Sequence, residues 1–118
     1  MYNILTLNKI SETGLCRFSN EYTCATDITN PDAILVRSAS MHDMEFQSNT
    51  LAIARAGAGV NNIPIDKCSE AGIVVFNTPG ANANAVKELV LTGLFLSSRK
   101  IIPAINWALT LKGNGDTV

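Results

Sequence analysis

The sequence predicts an α/β domain, a doubly wound parallel sheet of five strands, followed by one long helix. Three observations carry this. Short apolar runs recur at Tyr2–Leu7, Ala33–Val36, Leu51–Ala54 and Ile73–Phe76, each strand-length and bounded by turn residues. Between the last two lies a short helical segment, Ile65–Ala71, so strand, helix and strand make a βαβ crossover. From Ala85 to Lys112 no turn cluster occurs, and apolar residues fall at helical spacing.

Taken in order, Tyr2–Leu7 begins the sheet through Ile4, Leu5 and Leu7. Ser11 and Gly14 mark a loop or short helix. Glu21–Ala25, rich in strand formers, reads as an edge strand, and Asn30-Pro31-Asp32 as a turn. Ala33–Val36 is continuously apolar, the pattern of a strand covered on both faces. Ser40 reads as a helix N-cap, with Asp43 three residues on and Met41, Met44 and Phe46 following. Gly72 stops the Ile65–Ala71 helix before the last strand. This succession suggests a flavodoxin-like sheet.

The long helix carries one stripe at Val86, Leu89, Val90 and Leu94 and a second set at Leu91, Phe95 and Ile102. A helix apolar on two faces is normally sandwiched between partners. Pro103 is expected to kink or break it, and Gly113-Asn114-Gly115 to end it. Asp116-Thr117-Val118 add no closing element, so the chain reads as cut.

Net charge is −1, from 9 basic and 10 acidic residues, which leaves no electrostatic footprint for nucleic acid or an anionic membrane. The most apolar window, Leu89–Leu96, falls far short of the roughly 18 residues a membrane span needs. Met1-Tyr2-Asn3 opens into a strand without a basic leader. The 3 cysteines, with no CxxC spacing, and the single histidine assemble no zinc set, so reduced thiols of a cytoplasmic protein and no metal are expected.

Ligands of open α/β sheets bind beyond the carboxyl ends of strands. There the chain places Arg37-Ser38 and Arg55-Ala56-Gly57-Ala58-Gly59-Val60. Two guanidiniums on one sheet edge can hold a carboxylate or phosphate bidentately, unless each pairs with a carboxylate such as Asp32 or Asp66. Gly57-Ala58-Gly59 is not a dinucleotide fingerprint. Asn62 stands at the third glycine position, and Asn77 where the ribose-binding acid belongs. The amides of Gly57, Ala58 and Gly59 remain able to cradle a carboxylate. Asn82 and Asn84 read as caps of the long helix, one of them free to face a ligand. His42 reads as a surface residue and Ser38 as a binding or capping hydroxyl. No nucleophile–base pair can be built, so no catalytic residue is assigned.

From Arg55 to Arg99, RAGAGVNNIPIDKCSEAGIVVFNTPGANANAVKELVLTGLFLSSR resembles the D-isomer-specific 2-hydroxyacid dehydrogenases, and most of all those acting on 3-phosphoglycerate. The strand end Ile34-Leu35-Val36-Arg37-Ser38 fits as well. The resemblance implies a substrate-binding (lid) domain over residues 1–82. Residues 83–112 would be the helix crossing into a separate NAD-binding domain, and 113–118 a tail. It implies that Arg37 and Ser38 hold substrate on its phosphate side, that Arg55 adds positive charge, and that Gly57, Ala58, Gly59 and Val60 bind its carboxylate. Ala58 would approach the nicotinamide end of NAD, itself bound mainly by the domain beyond residue 118, and Asn82 would contact substrate near the hinge. A cytoplasmic homodimer in serine biosynthesis is implied, with the acid–base residues also beyond residue 118 and the segment alone inactive. Ala58 stands where the family often has Thr or Ser, Asn61 where Asp is common, and Lys87 where a small residue is usual. A family member acting on glyoxylate, hydroxypyruvate or lactate, and a non-catalytic flavodoxin-like binding module, are the alternatives.

Overall fold

The computed structural model describes residues 1–113 and 115. The chain divides into two compact units, Met1–Ala81 and Asn82–Val118. The first contains strands β1 (Tyr2–Thr6), β2 (Tyr22–Ala25), β3 (Ala33–Val36), β4 (Ala52–Arg55) and β5 (Val74–Phe76), with helices α1 (Glu12–Leu15) and α2 (Ile65–Glu70). All neighbouring strands are parallel, in the order β2-β1-β3-β4-β5, which is the flavodoxin-like order. β2 is an edge strand, as its composition indicated.

Strand periodicity sorts the side chains. Leu5, Ile34, Ile53 and Val75 lie side by side across four strands and form one row of the core. Val36, Met41, Ile63, Cys68 and Ile73 complete it. Burying each of the larger aliphatic side chains contributes about 1.5–3 kcal/mol. On the opposite face the row is Ile4, Ala33, Ala52 and Val74. β3 is therefore not equally covered on both sides: Ile34 and Val36 are 1% and 0% exposed, but Ala33 and Leu35 are only half-buried.

The segment after Ser40 is not a helix. Met41 is fully buried, its N–H donates to the Asn62 carbonyl, and Met44 N–H closes a tight turn onto Met41. The Lys67 ammonium then donates to the Met44 carbonyl (2.8 Å) and the Glu45 carboxylate (2.9 Å). Residues 41, 44 and 46 do not share one helical face, and a single turn pays a nucleation cost that these tertiary contacts avoid.

In the second unit, α3 (Ala83–Ser98) and α4 (Ile101–Thr110) replace the single expected helix. The break lies at Arg99-Lys100, three residues before Pro103, and Lys100 is left-handed (φ 51°). Pro103 thus falls in the first turn of α4, where an N–H has no helical partner, and the first such bond runs from Ala104 N–H to the Lys100 carbonyl. No residue of either helix is buried. α4 ends at Thr110, with Gly113 at positive φ shortly after. Asn114 and Asp116–Val118, named in the expected helix end and tail, lie outside the described residues.

Candidate functional site

The carboxyl ends of β1, β3, β4 and β5 carry the candidate residues. The register pairs Val36 with Arg55, so Arg55 leaves the sheet on the core side and must turn back toward its own loop. Its Nε donates to the Arg37 carbonyl at 2.8 Å. Its Nη1 is buried without a hydrogen-bond partner among the described residues. Gly59 lets it lie there: a Cβ on Gly59 would stand 2.7 Å from Nη1, whereas one on Gly57 would make only ordinary contact, 3.5 Å from Nε. Neither glycine has positive φ, so close approach is the role of Gly59, and what approaches is this chain's own guanidinium.

The loop after β3 is clamped from both sides. The Asn8 side-chain oxygen accepts from the N–H groups of Arg37 (2.9 Å), Ser38 (3.0 Å) and Ala39 (3.1 Å). On the carbonyl side, Arg55 holds Arg37, and Asn62 Nδ2 donates to Ala39 at 2.8 Å. Asn62 is itself buried, and its Oδ1 has no partner among the described residues. The Arg37 and Ser38 side chains stand exposed on this fixed backbone. Arg37 borders a cleft of about 700 Å³ with Lys9, Ser11, Glu12 and Ala56.

The glycine loop is tied to the β5 end. Asn77 Nδ2 donates to the Ala58 carbonyl at 2.7 Å, Thr78 N–H to the Gly57 carbonyl at 3.0 Å, and Thr78 Oγ1 to the Arg55 carbonyl at 3.3 Å. Gly57 N–H turns back to the Arg55 carbonyl at 2.9 Å, which removes it from the amides free to meet a ligand. Ala58, Gly59 and Val60 remain.

Of the predicted residues, Arg37, Ser38, Arg55 and Gly57–Val60 gather at one sheet edge. The ion pair among the described residues is Lys67 with Glu45, so neither arginine has a carboxylate partner there, and Asp32 instead accepts from Asn3 N–H. Asn82 belongs to the second unit, at the N-cap position of α3 but without a side-chain cap bond. Asn84 lies inside α3 and bonds Lys87 and Glu88. His42 is exposed, as expected, with Nε2 2.9 Å from the Asn61 carbonyl oxygen. Among the described residues, no group of three or more His, Cys, Asp or Glu converges as a metal site, and no helix is long and apolar enough to cross a membrane. Sequence reasoning missed Asn8 and Asn62 as supports. Their signal was faint: Asn8 stands between Leu7 and Lys9, and Asn62 between Asn61 and Ile63, with nothing local to mark either as a support.

The family model for the D-isomer specific 2-hydroxyacid dehydrogenase, catalytic domain, matches residues 3–113. A hydroxypyruvate reductase of Thermotoga maritima is 44% identical over 78 residues, covering 64% of this chain and 25% of that protein. A D-3-phosphoglycerate dehydrogenase of Archaeoglobus fulgidus is 37% identical over 78 residues, covering 64% of this chain and 15% of the relative. An (S)-sulfolactate dehydrogenase of Chromohalobacter salexigens is 37% identical over 70 residues, covering 57% and 23% respectively. The chain spans a quarter or less of the length of each of these relatives. With this sheet order and a match along almost its whole length, the chain belongs to the D-isomer specific 2-hydroxyacid dehydrogenase family.

Proposed function

We propose that this chain is the substrate-binding part of an NAD-dependent dehydrogenase that oxidises 3-phosphoglycerate in serine biosynthesis. The observation that carries the reading is the pair Arg37 and Arg55. They sit at the ends of adjacent strands, joined through the Arg37 carbonyl, and neither meets a carboxylate among the described residues. A substrate with two anionic groups suits such an edge. Arg37 and Ser38 take the phosphate, Arg55 supplies charge from beneath the loop, and the amides of Ala58, Gly59 and Val60 face the carboxylate. NAD would supply the hydride acceptor, held mainly by parts of the protein outside this chain, and Ala58 would be the residue here that approaches it. The acid–base residues belong to those same parts, and the exposed apolar residues of α3 and α4 join two copies in a cytoplasmic dimer.

A second reading, reduction of hydroxypyruvate or oxidation of a monoanionic 2-hydroxy acid, is favoured by the Thermotoga maritima relative, whose identity is the higher. An amide-resolved NMR titration of this chain with 3-phosphoglycerate, and separately with D-lactate, decides between them. Shifts confined to 3-phosphoglycerate at Ala58 and Gly59 support the first reading. Equal shifts with both acids support the second.

A further inference from the structure

We propose that Asn8 is a positioning residue of this site: its side chain fixes the Arg37–Ala39 loop and closes that loop's amide cluster to free anions. The inference deepens the substrate reading above and rests on it for its purpose, though not for its test. Three consecutive backbone N–H groups, of Arg37, Ser38 and Ala39, converge on the single Asn8 oxygen at 2.9, 3.0 and 3.1 Å. Converging amides of this kind are what proteins use to bind anions. Here a neutral carboxamide oxygen, reaching in from the end of β1, occupies the place an anion would take.

Two consequences follow from the chemistry. With its amides engaged by Asn8 and the Arg37 and Ala39 carbonyls held by Arg55 and Asn62, the loop has one backbone arrangement, and the Arg37 guanidinium projects from a fixed base. Moreover, an anion arriving beside Lys9 and Arg37 cannot sink onto the main chain, so recognition passes to side chains. A carboxylate at position 8 would hold the same three amides but cancel one of the nearby positive charges. The neutral amide holds the loop and leaves the charge of Arg37 for the ligand.

The test uses the whole chain, with inorganic sulfate as probe and amide-resolved NMR as readout. In the unaltered chain the Arg37, Ser38 and Ala39 amides exchange slowly with solvent and shift little with sulfate. In Asn8→Ala the same three amides exchange about 10-fold faster, the loss of roughly one hydrogen bond each. They also become the strongest responders to sulfate, an outcome that a merely structural residue would not produce. Asn8→Asp restores the slow exchange, and its amides stay silent to sulfate. The proposal is overturned if the three amides of Asn8→Ala keep the exchange rates and sulfate response of the unaltered chain. It is overturned equally if those amides already respond to sulfate with Asn8 in place. Should Asn8→Ala fail to fold, the unaltered chain and Asn8→Asp still decide: fast exchange of the three amides in both sinks the idea. Failure of the substrate reading would show separately, as no response to 3-phosphoglycerate at Ala58 and Gly59.

Discussion

Gly59 and Arg55 share one space: the position a Gly59 side chain would occupy lies 2.7 Å from Arg55 Nη1. A side chain at position 59 would therefore have to displace a guanidinium of the same chain. The loop after β4 folds over Arg55 as a cover, and Thr78 and Asn77 fasten that cover to the end of β5.

Gly59→Ala should accordingly expel the Arg55 head group. The atom displaced is the free end of a flexible side chain, so stability should change by less than about 1 kcal/mol, read as a small shift of the urea midpoint at unchanged slope. The Arg55 Nε resonance should lose its protection at the same time. A variant with the original midpoint and the original Nε signal would show that the loop simply rides higher.

Arg37→Ala should separate binding from folding. Arg37 is exposed and its side chain has no partner among the described residues, so the urea midpoint should stay within about 0.5 kcal/mol of the original. Affinity for 3-phosphoglycerate should fall about 10-fold or more, the loss of a charge-assisted contact. Equal affinity in the variant would remove Arg37 from the site.

Ile53→Ala tests the core row. Ile53 is fully buried between Ile34 and Val75, so truncation should cost about 2–5 kcal/mol. For a sheet of this size that is a large share of the total stability. Val74→Ala, on the exposed face of the edge strand, should cost far less in the same urea titration.

The cysteines give a pH dependence with a definite sign. Burial pushes the Cys68 thiol above its ordinary 9.0, against the weaker downward pull of Lys67, and burial raises Cys24 in the same direction. A raised folded value favours the neutral thiol in the native state. Its contribution is complete below pH 9 and is lost as pH rises through the folded values. Stability should decline on the alkaline side, and less so in Cys68→Val. A thiol reagent at neutral pH should modify exposed Cys16 first and Cys68 only on unfolding.

Self-association offers a further check on the proposed dimer. Light scattering across micromolar to hundred-micromolar concentrations should show a dimer, weakened by Leu89→Lys and Phe95→Lys on α3. A strict monomer throughout would remove the helices as an interface.

The strands were legible because each is a short apolar run with nothing helical about its spacing. β4 and β5 begin one residue later than the runs suggested, at Ala52 and Val74, since Leu51 and Ile73 lie just outside the ladder. The Ser40 segment misled because a local cap pattern says nothing of Lys67, a residue more than twenty positions away that holds Met44. Pro103 correctly announced a break, but the chain turns at Lys100 so that the proline enters a first helical turn. The arginines and glycines of the site stood out as charges and small residues at strand ends. Asn8 and Asn62 did not, because their partners are set by sheet register across 23 to 31 positions.

That separation also governs when the edge takes shape as the chain folds. The Arg37–Ala39 loop draws its supports from β1 on one side and from β4 and Asn62 on the other. A nascent chain ending at Ala39 could seat Asn8 yet would lack Arg55, and the loop would be half-tethered. Closing the long loops between these partners costs chain entropy before any bond repays it. The candidate edge is thus a late arrival, complete only after the fourth strand has joined the sheet. A pulse of hydrogen exchange during refolding should label Arg37–Ala39 after the central strands are already shielded.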